Sequence, residues 1–309
     1  MSPPAAIAAA PAASLTRRRS LRQAINPTAW LFILPAAVIY FVFHLLPFIQ
    51  TIWLGFHKWD GASPERTWVG LANYAQALGD EIFWRALSHN LIFVVMNLVL
   101  PTGLGLILAV LIANVNRGRS TYRFLLFVPY VLSLAVVGII FGRIYDPNIG
   151  IINQLLRLVG LADLARPWLG DPSWVLIAII LSGVWHGFPF AMMIYLAGLQ
   201  GIDVTLYEAA RLDGANGLQT FQHVTLPGLT NVTTLLISSA FIGGLTAFTL
   251  VWTMTGGGPF YASEVISTFI YKRAFEDVYV GYGAALSVAL AALALLVTGM
   301  FIWLRERRD

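Results

Sequence analysis

Residues 207–227 form a short polar island between two long apolar runs: Tyr207, Glu208, Ala209, Ala210, Arg211, Leu212, Asp213 and Gly214, then on to Val224, Thr225, Leu226 and Pro227. Glu208 has two readings. Thr205 with Glu208 three residues on matches a capping box, in which the carboxylate reaches back to the Thr205 amide. Alternatively the carboxylate points outward to a cationic group on a partner, with charge-assisted strength. Ala209 and Ala210 keep that face low enough to sit in a partner's groove. Asp213-Gly214 breaks the helix, glycine supplying the positive φ that such a turn often needs. Asn216 with Gln219 suits the cap of a second short helix. Leu226-Pro227 closes the segment and sets the entry angle of the next run. The expected product is two short helices folded on each other beside a membrane, a surface built for a soluble partner.

Other chemistry is scarce. The two lysines, Lys58 and Lys272, follow His57 and Tyr271, and neither ends a phosphate-binding Gly-x-x-x-x-Gly-Lys-Ser/Thr loop. The five histidines, His44, His57, His89, His186 and His223, make no i, i+4 pair with an acidic neighbour, so no metal-hydrolase helix is visible. With no cysteines there is neither a disulfide nor a thiolate ligand. A proton- or sodium-driven carrier needs a buried carboxylate or histidine relay. Charge inside the apolar runs is nearly confined to Arg143 and Asp146 at a span end, with His186 the lone relay candidate. An embedded enzyme, a channel and an ion-coupled carrier are the alternatives, and each lacks its residues.

The elements that must position these residues are membrane helices. The chain is 58% hydrophobic and 11% charged, with mean hydropathy +0.74, against roughly 25% charged residues in a soluble domain. Six spans are expected, at about 30–54, 90–114, 124–144, 174–198, 230–254 and 283–304, each close to the ~20 residues needed to cross a bilayer. Residues 1–29 read as a disordered basic tail without a cleavage site, residues 30–304 as the membrane domain, and 305–309 as a short terminus. Segments 1–29, 115–123, 199–229 and 305–309 hold eleven of the 19 Lys and Arg residues and five of the 15 acidic ones. The positive-inside bias therefore predicts both termini and the 199–229 loop in the cytoplasm. It also accounts for the net charge of +4 without nucleic acid. On the other side, Gly256-Gly257-Gly258-Pro259 followed by a half-apolar stretch predicts a loop and a short helix lying along the outer surface.

The spacing Glu208-Ala209-Ala210, three residues, Gly214, nine residues, Val224-x-Leu226-Pro227 resembles the coupling loop of ABC importer permeases, with Val224 where the family pattern has Ile. The Gly-Gly-Pro, Tyr271-x-x-Ala274-Phe275 and Gly281-Tyr282-x-Ala284-Ala285 stretches resemble the carbohydrate-type members, of the maltose and glycerol-phosphate kind. This resemblance spans roughly residues 28–305. It implies an all-α, six-helix type I importer permease in the bacterial cytoplasmic (inner) membrane. It further implies a second, homologous permease subunit, two cytoplasmic ATPase subunits that bind ATP and Mg, an extracytoplasmic solute-binding protein, and no cofactor in this chain. Tyr207, Glu208, Ala209, Ala210, Asp213, Gly214, Val224, Leu226 and Pro227 would carry the ATPase coupling.

The same resemblance directs attention to a solute path. A sugar needs hydrogen-bonding groups, aromatic faces and small residues near mid-membrane. The fourth span offers Gly183-Val184-Trp185-His186-Gly187-Phe188-Pro189-Phe190, whose Gly-Phe-Pro-aromatic run resembles the family's sugar-lining segment and points to Trp185, His186, Gly187 and Phe190. The fifth offers Ser238, Ser239, Gly243, Thr246 and Phe248, with Ala240 and Gly244 facing the fourth. The competing reading is packing: Gly183-x-x-x-Gly187 is a helix-contact spacing, and membrane Ser and Thr often bond their own backbone. Without a basic cluster inside the membrane, a neutral sugar is favoured over a phosphate.

Overall fold

The computed structural model describes residues 27–306; residues 1–26 and 307–309 lie outside them, and with them most of the expected tail (1–29) and terminus (305–309). The chain divides into two units, residues 1–50 and 51–309. In the first, α1 (Pro27–Tyr40) passes through a π-helical turn at Phe41–Leu45 into α2 (Leu46–Leu54), which runs on into the second unit. Pro27 sits at the helix start, where a missing amide costs nothing, and Leu31–Leu54 is long and apolar enough to cross a bilayer.

The second unit opens with two two-residue strands, β1 (His57–Lys58) and β2 (Thr67–Trp68), paired antiparallel, a small departure from the all-α expectation. Then come α3 (Ala72–Gly79) and α4 (Glu81–Ala113). Asp80 caps α4, its carboxylate accepting the Ile82 amide at 2.9 Å. The expected start near residue 90 is therefore too late. Glu81, Arg85 and His89 look like loop by polarity, but they ride a helix that begins before the apolar stretch. At 1.5 Å per residue its 33 residues cover about 50 Å, more than a bilayer core of about 30 Å.

The third expected span, 124–144, is two helices, α5 (Arg119–Val131) and α6 (Leu134–Ile144), bent by 91°. Pro129 removes an amide from the last turn of α5, and Ser133 caps α6 by accepting the Val136 amide. After α7 (Ile151–Leu158) comes α8 (Val175–Gln200), close to the expected fourth span. It packs along α4. Gly105 permits the approach, since a Cβ there would sit 2.7 Å from the Ala191 Cβ.

The hairpin follows as α9 (Val204–Leu212), α10 (Gly217–Thr220), a π-helical turn at Phe221–Thr225 and α11 (Leu226–Gly228). Next come α12 (Thr230–Leu245) and α13 (Thr249–Thr255), so the fifth span is broken at 246–248 rather than continuous to 254. The chain ends with α14 (Ile266–Tyr271), a π-helical turn at Lys272–Glu276, and α15 (Val280–Glu306). Among the described residues, four helices are long and apolar enough to span a membrane, or six if each bent pair counts as one crossing.

Candidate functional site

The hairpin is built from local signals. Gly214 has φ +75°, and no atom lies within 4 Å of where its Cβ would stand, so glycine is needed for the backbone and not for space. Asn216 and Gln219 form a reciprocal capping box, each side chain accepting the other's amide at 3.0 and 2.8 Å. The expected Thr205–Glu208 box is absent. Asp203 is the cap instead, its Oδ1 accepting the Thr205 amide at 2.9 Å. This frees Glu208, which is exposed and has no hydrogen-bond or ion-pair partner among the described residues. Bonds from the Thr205 amide and hydroxyl hold the Asp203 carboxyl below the ordinary aspartate range.

Tyr207 hydroxyl meets Thr225 Oγ1 at 3.2 Å and ties the two arms together. Between the arms lies a groove of about 480 Å³ floored by Ala209, Ala210, Asp213, Gly214 and Val224. Leu212 is 89% exposed, and Val204, Leu206 and Leu218 are more than half exposed. Leu226 and Pro227 lie beyond the groove in α11, next to the 67° bend into α12. Pro227 comes two residues before the break at Leu229, so the kink follows it rather than coinciding with it.

A second concavity, of about 370 Å³, lies between α4, α8, α12 and the break at 246–248. Of the expected path residues, His186, Gly187, Phe190, Ala240 and Phe248 line it. Trp185 and Gly244 do not. Trp185 packs edge-on to Phe141 at 5.4 Å between ring centres, and Gly244 faces the α4 backbone, where a Cβ would come within 2.6 Å of the Val94 Cα. His186 Nε2 donates to the Leu132 carbonyl at 3.0 Å, so it satisfies an acceptor that the α5–α6 break leaves outside any helix. Tyr130 bridges His186 and Phe190, with ring centres 5.4 Å from each. Ser238, Ser239 and Thr246 donate to their own helix at Thr234, Leu235 and Ile242.

Two features escape a reading by residue type. Asn90 is fully buried: its Nδ2 bonds the Gly244 and Leu245 carbonyls at the end of α12, and its Oδ1 accepts the Ile266 amide at the start of α14. One amide thus serves three backbone groups stranded by helix ends. An asparagine inside an apolar run was the available signal. The other is Glu264, fully buried and paired with Lys272, its second oxygen accepting the Thr268 hydroxyl at 2.7 Å. The segment expected along the outer surface is thus partly buried within the protein. Val265, Ile266 and Phe269 are buried, and a ring nitrogen of His89 donates to the Glu264 carbonyl at 2.7 Å.

Residues 102–309 match the model of the binding-protein-dependent transport system inner membrane component. The chain is 36% identical to the probable ABC transporter permease protein YurN of Bacillus subtilis, over 88% of this chain and 93% of that one. It is 32% identical to the trehalose/maltose transport system permease protein MalF of Thermococcus litoralis, over 96% and 99%. It is 31% identical to the lactose transport system permease protein LacF of Rhizobium radiobacter, over 95% and 99%. Its fold is similar to a chain of a solved bacterial importer of the acidic polysaccharide alginate, with a TM-score of 0.80 at 24% identity, covering 91% of this chain and 95% of that one.

Proposed function

The chain belongs to the family of inner-membrane permease components of binding-protein-dependent ABC importers, and on that premise we propose how it works and what it carries. It acts as one of two homologous permeases, with six crossings, both termini cytoplasmic, and the hairpin at 204–228 seated in a pair of cytoplasmic ATPase subunits. Those subunits hold ATP and Mg; this chain holds no nucleotide. Closure of the ATPases moves the hairpins as levers, and the lever acts on α12 through the bend at Leu229. The membrane domain then exchanges inward- and outward-facing packings, a population shift biased by nucleotide and by the loaded binding protein. The solute is a neutral sugar, in keeping with relatives named for trehalose, maltose and lactose and with a cavity whose lining holds no lysine, arginine or carboxylate.

One observation carries this reading: an exposed two-helix projection on which the Glu208 and Arg211 charges of α9 have no partner among the described residues, Glu208 standing next to Ala209 and Ala210, which floor an open groove. The buried carboxylate at Glu264 gives an ion-coupled carrier no relay, because Lys272 and Thr268 already satisfy it. Glu208→Lys and Gly214→Val should each leave the protein in the membrane and abolish binding-protein-stimulated ATP hydrolysis by the assembled complex. Full stimulation in both variants would refute the docking role.

A further inference from the structure

The cavity has one wall whose polar groups are already engaged and one whose polar groups are open. On the α8 and α12 side, His186 Nε2 is committed to Leu132, and the hydroxyl protons of Ser239 and Thr246 are committed to their own helix. On α4, Phe93, Asn97 and Pro101 recur at four-residue spacing and line the cavity as a stripe. Asn97 makes a single side-chain bond, Nδ2 to the Phe93 carbonyl at 2.9 Å. Its Oδ1 has no partner among the described residues. Pro101, four residues on, has no amide to close the helix bond to the Asn97 carbonyl. Thr102 beside it, and Thr249 just past the break in the fifth span, line the same space with hydroxyls that have no partner among the described residues. An amide with open capacity among apolar helices costs free energy until something bonds to it.

We propose that Asn97, with Thr102 and Thr249, forms the polar wall that takes the hydroxyls of a neutral carbohydrate in passage, a selectivity element supplied by α4 and the start of α13. This deepens the function proposed above and rests on it. The chemistry suits a hydroxyl, which both donates and accepts, as a carboxamide does. It does not suit an anion, since no cationic side chain borders the cavity.

The test uses the complete importer in proteoliposomes, with its partner permease, ATPases and binding protein. Uptake of radiolabelled maltose, trehalose, lactose and diacetylchitobiose is measured together with ATP hydrolysis. Asn97→Leu should lower the solute moved per ATP by about five- to tenfold, the size of one or two lost hydrogen bonds, while stimulated hydrolysis persists. Thr102→Val and Thr249→Val should lower it less, and they carry the test should the leucine variant not assemble. Ser287→Ala, on α15 outside the cavity with its hydroxyl bonded to the Gly283 carbonyl, should leave the ratio unchanged. An unchanged ratio in the Asn97, Thr102 and Thr249 variants, or an equal loss in Ser287→Ala, overturns the polar wall and leaves the importer standing. If the wild-type complex moves none of the four sugars, the proposed function falls and this wall falls with it.

Discussion

The imidazole of His186 holds the Leu132 carbonyl that the break between α5 and α6 leaves over, so this side chain has a structural task before any contact with solute. His186→Ala strands that acceptor, and the expected loss of stability is about 1–2 kcal/mol, read as a lower unfolding temperature of the assembled complex in detergent. Because His186 also lines the cavity, uptake affinity or selectivity should shift more than the yield of assembled complex. Wild-type uptake kinetics in this variant would remove it from the solute path. In the hairpin, Asp203 carries a different dependence. Bonds from Thr205 depress its folded-state pKa, so its stabilising contribution is fully present above the ordinary aspartate value and fades as pH falls through the depressed one. Protection of the α9 amides, corrected for the intrinsic pH dependence of exchange, should therefore be flat from neutral to mildly acidic pH and fall only in stronger acid. Asp203→Asn should flatten that acid response.

At the scale of elements, breaks matter more than lengths. The α5–α6 pair is interrupted at Pro129 and Ser133 and the α12–α13 pair at 246–248, and residues next to each interruption face the cavity. Irregular backbone at membrane depth survives only where protein groups or a polar space satisfy it. Asn90 does this for the end of α12, and His186 for the end of α5. The segment around α14 is held differently, by the Glu264–Lys272 pair packed against Gly257, whose φ is +89°. Lys272→Met leaves a buried carboxylate unpaired, a loss of about 3 kcal/mol, near the low end for such a change because the lysine side chain is 22% exposed. Adding Glu264→Gln should restore most of it. Thermal unfolding of both variants decides the point; equal midpoints for single and double variants would mean that the unpaired carboxylate carries no cost.

For the whole molecule, orientation is the property everything else depends on. The chain has no cysteine, so single cysteines report without background. Ala210→Cys should react with a membrane-impermeant maleimide only from the cytoplasmic side, and Tyr261→Cys only from the other. Labelling of Ala210→Cys from outside would invert the topology and remove the hairpin from any cytoplasmic ATPase.

Much of this was legible in order along the chain. Apolar runs of bilayer length, the basic bias of alternate loops, and the Glu-Ala-Ala, Gly and Leu-Pro spacing of the hairpin are local or periodic signals, and the four long helices and the Gly214 turn follow them. So does the Asn216–Gln219 cap. The sequence did not decide which polar groups are free. Thr205 and Glu208 have the spacing of a box, yet Asp203, two positions before it, takes the amide. Glu264 looks like a loop charge until the fold buries it beside Lys272, and Asn90 bonds residues more than 150 positions away. Chain order encodes where helices start and stop, since those signals act over a few residues. Which carbonyl, amide or carboxylate remains unsatisfied depends on which distant segment arrives beside it, and only the packed structure determines that.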